Sequence, residues 1–353
     1  MIKLFVLKVI DITSMTFFIF AEKIIYMKKI SIFLLALLLV NCSGNNEDLS
    51  PSGGDKLYVF QKNTDVKTPE NYTNLYEADV NTGELVRKIG GYEKLQGRID
   101  YDLSYLKNKQ EFLTRQSVYQ SGRGEELVKM GQNTKKRTTI SLNNSVEDLT
   151  SLDDRLFGFV LNSDSADLVE VDINGNVLSI IERFNDLPNG PNGNEKGLEG
   201  LTFSRDKKLL IVHKRETFYL GDPNKMFVYN IVTKEKKTIT IGDYDSVICG
   251  NNGRMFGLKT IYDTIKKVYY SKLIEFDINT GKELKDVYTF DESLGNSDSK
   301  ELIFLLQSNQ VVLKRFGLGC GMVNVDSGEM KSITINYDYR DITGLNAMRI
   351  ISY

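Results

Sequence analysis

From Lys56 onward the apolar positions alternate with polar ones. Stretches such as "KLYVF", "LYEADV", "LVEVDI" and "LIEFDI" put a large side chain at every second position and then stop at an Asp, Asn or Gly turn. A period of two is that of a half-buried strand, and helical spacing is almost absent over the same region. The pattern predicts an all-β fold.

The strands also repeat. Hairpins of one grammar begin at Leu75 ("LYEADVNTGEL"), Leu127 ("LVKMGQNTKK"), Leu168 ("LVEVDINGNVL"), Met226 ("MFVYNIVTKEK"), Leu273 ("LIEFDINTGKEL") and Met322 ("MVNVDSGEM"). Taking Asp79, Gly131, Asp172, Asn230, Asp277 and Asp326 as equivalent gives a repeat of roughly fifty residues, the size of a propeller blade. A second strand pair precedes the hairpins, starting near Arg98, Val146, Leu198, Val247 and Glu301. The first hairpin has only "KLYVF" before it, and its missing inner strand is found at the C-terminus as "DITGLNAMRIISY". These two partial blades complete one repeat. The chain therefore reads as a six-bladed β-propeller of four-stranded blades over 56–353, closed by the C-terminal strand joining the N-terminal blade. Such closure leaves no unprotected sheet edge. A β-sandwich would not need a lone strand at each end.

Before the propeller the pattern changes. "MKKISIFLLALLLVNC" has two lysines, an apolar run too short to span a bilayer, and a Cys. It reads as an export signal over 27–41. With the polar "SGNNEDLSPSGGD" that follows, it resembles a bacterial lipoprotein signal, with Cys42 as the residue that receives acyl chains and 42–55 as a flexible tether. Asn41 departs from the small residue usual before the Cys. Residues 1–26 fit neither part, because Asp11 and Glu22 flank a separate apolar stretch. They read as an upstream extension from a misassigned start, the alternative being an uncleaved N-terminal anchor. The address expected is the bacterial cell envelope, at the outer membrane, with the lipid anchor as the membrane partner.

Charge narrows the partners. Residues 1–41 hold five lysines against Asp11 and Glu22, so the formal charge of −2 for the chain hides −5 for the remainder. That balance argues against nucleic acid. Cys249 and Cys320 both lie in apolar runs and are expected to be free, buried thiols.

In a propeller the residues just before each inner strand ring one mouth of the central channel. Those positions hold Asp100, Asp102, Glu147, Asp148, Glu199, Asp245, Glu301 and Asp341, at least one carboxylate per blade. Such crowding is relieved by a bound cation, by salt bridges or by hydration. Oxygen donors, with Asn251 and Asn252 added, suit calcium better than zinc, since the chain has one His and no Cys pair at metal spacing. For Glu199 the competing expectation is a cross-strand pair with Lys214, reached by folding the hairpin about "RDKK". The loop "NDLPNGPNGNEKG" from Asn185 leads to the same mouth.

The segments "VEDLTSLDDRLFGFVLNSDSADLVEVDINGNVLSIIERF", "KGLEGLTFSRDKKLLIVHKRE" and "KMFVYNI" resemble the core of the SdiA-regulated propeller family over Val146 to Ile231. The resemblance implies a six-bladed envelope propeller with calcium at the channel, and carries over Glu147, Glu199 and Glu216 as metal positions. "EGL" is also similar to phytase-like esterase and gluconolactonase-like propellers, over three residues. Catalytic motifs are missing: there is no G-x-S-x-G, no H-E-x-x-H, and the sole His213 sits in the apolar strand "LLIVHKRE". The expected function is a binder of a small ligand or envelope protein at the acidic mouth. The alternatives are a calcium-dependent hydrolase or lactonase, and a structural scaffold.

Overall fold

Alternation becomes pairing in the computed structural model. It describes residues 55–62, 71–95, 97–106, 108–118, 124–131, 137–142, 146–162, 165–185, 198–204, 206–214, 224–290, 302–314, 319–334 and 350–352. Residues 54–353 form one compact unit.

Blade 1 contains β1 (Leu57–Lys62), β2 (Asn71–Ala78) and β3 (Leu85–Leu95). Blade 2 is β4 (Gly97–Leu106), β5 (Glu111–Val118), β6 (Gly124–Gly131) and β7 (Arg137–Leu142). Blade 3 is β8 (Val146–Leu152), β9 (Arg155–Leu161), β10 (Ala166–Val171) and β11 (Val177–Phe184). Blade 4 is β12 (Leu198–Ser204), β13 (Leu209–Lys214), β14 (Lys225–Asn230) and β15 (Lys236–Thr240). Blade 5 is β16 (Ser246–Cys249), β17 (Met255–Asp263), β18 (Val268–Phe276) and β19 (Glu283–Phe290). Blade 6 is β20 (Leu302–Leu305), β21 (Gln310–Lys314), β22 (Gly319–Asn324) and β23 (Met330–Thr334). The last strand, β24 (Ile350–Ser352), completes blade 1 by pairing antiparallel with β1, Val59 opposite Ile350. All six sheets are four-stranded, and the innermost strands touch in the order β4, β8, β12, β16, β20, β24. The six-bladed propeller with its mixed closing blade is thus the observed fold.

The core lies between blades. Phe157, Phe159 and Leu168 of blade 3 pack on Leu210, Val212 and Phe227 of blade 4. Leu57 and Val59 of blade 1 pack on Leu305, Val312 and Met322 of blade 6, and Tyr58 meets Phe112 of blade 2 edge to face at 4.7 Å. Each such side chain contributes about 1.5–3 kcal/mol when fully buried, so inter-blade packing outweighs any single polar contact. Polar contacts set the register instead. Asp55 accepts hydrogen bonds from the backbone of Gln307 (2.9 Å) and Ser308 (2.7 Å), fastening blade 1 to blade 6. Ser104 and Ser151 donate reciprocally to Leu149 O and Tyr105 O, both at 2.7 Å, fastening blade 2 to blade 3.

The repeat is anchored by side-chain-capped turns. Asp79, Asp172, Asn230 and Asp277 each accept backbone N–H groups two to four residues on. In blade 6 this role belongs to Asn324, which accepts from Asp326 and Ser327, and not to Asp326 as the alignment of hairpins suggests. The cap there stands two residues before the Asp of "VDSG", because an Asn caps such a turn as well as an Asp.

Candidate functional site

Each blade's inner strand starts at one face, its second strand returns to that face, and the connection to the third strand turns there. On this face the six inner strands are not alike. In blades 5, 6 and 1 the described residues pair without interruption: Ser246 to Cys249 against Leu258 to Met255, Leu302 to Leu305 against Leu313 to Gln310, and Ile350 to Ser352 against Val59 to Leu57. In blades 2, 3 and 4 each has a bulge, and each bulge falls on carboxylates. In β4 the register shifts between Asp100 and Leu103, taking Asp102 out of the ladder. In β8 it shifts between Glu147 and Thr150, across Asp148. In β12 it shifts between Leu198 and Gly200, so Glu199 is the extra residue. A bulge adds one unpaired residue, bends the strand and re-aims its side chain, and bulges concentrate at rims and beside sites.

Local sequence explains why these bulges are tolerated. Asp148 takes a positive φ of 51°, a conformation that Asp accepts better than most residues. Gly200 sits at φ 152°, where L side chains are strained, which gives the Gly of "EGL" a backbone reason. Opposite the β8 bulge, Gly158 lies so close that a Cβ would come 2.5 Å from Val146 Cγ1 and 2.8 Å from Glu147 O. The bulged backbone occupies the space of a missing side chain.

The bulge also changes the register expected from the hairpin, which placed Lys214 directly opposite Glu199. Lys214 stands opposite Leu198, and His213 opposite Gly200, leaving Glu199 without a rung. Glu147 and Asp148 are half-buried at the start of β8. Asp100, Asp102 and Glu199 are described here as strand positions only, while Cys42, Glu216, Glu301, Asp341 and 186–197 of the long loop lie outside the described residues.

Two other expectations change. Asp245 stands just before β16 as predicted, but its carboxylate is spent on β17: Oδ2 accepts from Thr260 N (3.0 Å) and Thr260 Oγ1 (2.5 Å). Asn251 and Asn252 form a 3-10 turn, Asn251–Gly253, after β16, so they lie at the opposite end of that strand from Asp245 and do not share its mouth. Asn251 donates to Leu306 O at 2.7 Å, a tie to blade 6. Among the described residues no group of three or more His, Cys, Asp or Glu converges as a metal site.

Other reactive groups are withdrawn from solvent. His213 is 1% exposed within β13. Cys249 and Cys320 are buried and in no disulfide among the described residues, and burial pushes the Cys249 thiol up to about 12, well away from a thiolate nucleophile.

A recurring polar latch escaped the reading of the sequence. Arg155 grips Glu170 with both ends of its guanidinium (2.7 and 2.6 Å), lies over Phe157 and reaches Ile231 O of blade 4. Arg254 repeats this on Glu275 (2.7 and 2.8 Å), over Phe256, and reaches Asp326 of blade 6. In blade 1, Lys56 and Arg87 share Glu77. The signal is present in "RLFGF" with "LVEVD" and in "RMFGL" with "LIEFD". It lies on the strands and at the face opposite the bulges, and serves blade cohesion.

No protein-family model matches the chain, and no curated protein does. Among solved structures it is similar to TolB from Acinetobacter baumannii, with TM-score 0.52 and 14% identity over 85% of this chain and 66% of that one. The match therefore spans just under two thirds of TolB's length. A candidate 6-phosphogluconolactonase from Bacteroides fragilis gives TM-score 0.48 at 8% identity, covering 86% of this chain and 99% of that one. Apo AztD from Citrobacter koseri gives 0.40 at 9% identity, covering 85% and 98%. At these identities what the chain shares with TolB is the β-propeller fold.

Proposed function

We propose that the chain is a lipid-anchored cell-envelope propeller that binds a ligand or partner protein at the bulged, acidic side of its channel mouth, with calcium as the bound cation. The observation that carries this reading is the placement of inner-strand bulges at Asp100–Asp102, Glu147–Asp148 and Glu199 in three consecutive blades. A strand does not need a bulge to pack, and three consecutive inner strands shift register at acidic positions. The donors are all oxygen, which fits calcium's preference for flexible oxygen shells. Glu147 and Glu199 would supply ligands from adjacent inner strands, and Glu216, which follows β13 in sequence, a third. Acylation at Cys42 supplies the membrane attachment.

Calcium binding to the folded state alone raises stability by about 2.7 kcal/mol at a hundredfold excess over the dissociation constant. The expected result is a calcium-dependent rise in melting temperature, smaller with magnesium because of its stricter octahedral shell. Glu199→Gln is expected to remove most of the rise while leaving the calcium-free melt unchanged. A chelator-treated protein that melts identically with and without calcium overturns the calcium reading. Cys42→Ser should give a precursor that takes up no labelled palmitate; equal labelling of the variant would overturn the anchor.

A further inference from the structure

The hairpin between the second and third strands of blade 5 is longer than its neighbours need. β17 pairs with β18 from Met255–Phe276 to Asp263–Val268, but β16 accompanies it only as far as Leu258, and β19 accompanies β18 only from Ser271. The rungs Ile261–Tyr270, Tyr262–Tyr269 and Asp263–Val268 therefore form a two-stranded arm with no third strand beside it among the described residues. The five residues from Lys259 to Asp263 carry it about 17 Å past the start of the inner strand, at about 3.4 Å per residue. It projects from the face of the acidic mouth.

No core cluster of the described residues includes the arm, yet its composition is apolar. Ile265 at the turn is 91% exposed, and Tyr262, Val268 and Tyr269 are about half exposed. The rings of Tyr262 and Tyr269 rest on each other with centroids 4.7 Å apart. Exposed apolar runs of this kind are costly unless something receives them. Between Ile265 and Val268 stand Lys266 and Lys267, both exposed and without an ion pair among the described residues. The Asp263 carboxylate is turned into the loop, accepting Ile265 N and Lys266 N at 2.9 Å each, and its charge, which acts on Lys266, offsets one of the two lysines. Further down, Lys259 and Lys272 are already paired with Glu283 and Asp286. The apex is thus a cationic spot on a chain whose remainder after residue 41 is negative.

We propose that this arm is a membrane contact: Tyr262, Ile265, Val268 and Tyr269 enter the head-group layer of an anionic bilayer while Lys266 and Lys267 meet lipid phosphates. Tyrosine and lysine are the residues enriched at that boundary, with ring or stem in the apolar layer and polar end in the head groups. Charge favours this occupant over a second copy of the chain, because two arms laid together would oppose their lysine pairs. The arm's length keeps the acidic mouth more than a Debye length, about 8 Å, from the anionic surface. The inference rests on the arm alone and stands apart from both the lipid anchor and calcium.

The chain contains no Trp, so Ile265→Trp in the full-length protein places a single reporter at the apex. With phosphatidylglycerol-containing vesicles its emission should shift to the blue and be quenched by brominated lipid, and Lys266→Glu with Lys267→Glu on the same background should weaken both effects. Leu178→Trp, at an exposed apolar position on the outer strand of blade 3, should keep its aqueous emission under the same conditions. An emission spectrum of the Ile265→Trp protein that vesicles leave unchanged overturns the proposal. So does an equal response of the Leu178→Trp protein, which would mean unspecific association through another part of the chain.

Discussion

Blades 3 and 5 are two versions of one repeat, one with a bulged inner strand and one with a regular inner strand. Both place an Arg at the head of the second strand, over an aromatic ring at 5.2 Å and in the grip of a Glu on the third strand. Both follow that aromatic residue with Gly, and both cap the next turn with Asp. They part at the other face. β8 bulges at Glu147 and Asp148 where β16 runs straight, and the hairpin of blade 3 ends in the polar turn Asn162–Ser165 where blade 5 extends an apolar arm. What recurs is what any blade needs to cohere with the next. What does not recur asks for a separate cause, and both departures lie on one face.

The two glycines give the largest test of that division. A Cβ on Gly257 would lie 2.4 Å from Tyr244 Cδ1, and Tyr244 is fully buried and stacked on Phe276 at 4.9 Å. Gly257→Val is expected to cost about 3 kcal/mol in urea unfolding, as overpacking that nothing can absorb. Gly158→Ala presses instead on Val146 and on the bulge carbonyl of Glu147. Its expected cost is smaller, about 1–3 kcal/mol, but it should also remove the calcium-dependent rise in melting temperature, which Gly257→Ala should leave in place. A Gly158→Ala protein that keeps the whole calcium response would detach the bulge from the site.

Alternation, repeat length and the two partial blades were enough to read the fold, because a closed ring makes each strand's partner a matter of counting. Of the acidic positions expected before the inner strands, Asp245 precedes β16, whereas Asp100, Asp102, Glu147, Asp148 and Glu199 lie within β4, β8 and β12. The bulges were not legible. A bulge shows in sequence only as a Gly or Asp whose backbone conformation is unknown, and one extra residue was enough to move Lys214 from Glu199 to Leu198. Asn251 and Asn252 form the turn between β16 and β17, at the far end of β16 from Asp245, because the antiparallel pair must reverse there. The latch shows in "RLFGF" and "RMFGL", but only the fold joins each Arg to a Glu 15 or 21 residues away.

The latches come next in size, and here the two blades should behave alike. The guanidinium of Arg155 holds Glu170 below the usual carboxylate range, and both residues are mostly shielded from solvent. Arg155→Ala and Arg254→Ala should each cost about 2 kcal/mol, the range for hydrogen bonds to charged groups. Because the Glu170 value is depressed in the folded state, its contribution is present above the ordinary value near 4.3 and is lost as pH falls through the folded value. The difference between wild type and Arg155→Ala should therefore shrink below about pH 4. With no shared partner the two substitutions should add. A calcium response lost along with either latch would mean that the two faces are coupled and that the division drawn from blades 3 and 5 is wrong.

The smallest effect concerns a turn position that the blades fill differently. Lys234 has φ 66° and donates to Asn230 O at 2.9 Å, where Gly281 of blade 5 has φ 72° and donates to Asp277 O at 2.8 Å. A left-handed conformation costs a residue with a side chain about 1–2 kcal/mol. Gly at the same place gives back about 0.5–1 kcal/mol through the greater freedom of the unfolded chain. Loss of the Lys234 ammonium, 5.8 Å from the Tyr229 ring centre, removes about 0.5 kcal/mol more at an exposed site. Strain relief wins narrowly, so Lys234→Gly should raise stability by less than about 1 kcal/mol. The reverse exchange is not symmetric, since a Cβ on Gly281 would come 2.0 Å from Thr240 O. Gly281→Ala should destabilise clearly in the same urea series, and a Lys234→Gly protein that unfolds earlier than wild type would show that the Tyr229 contact outweighs the backbone.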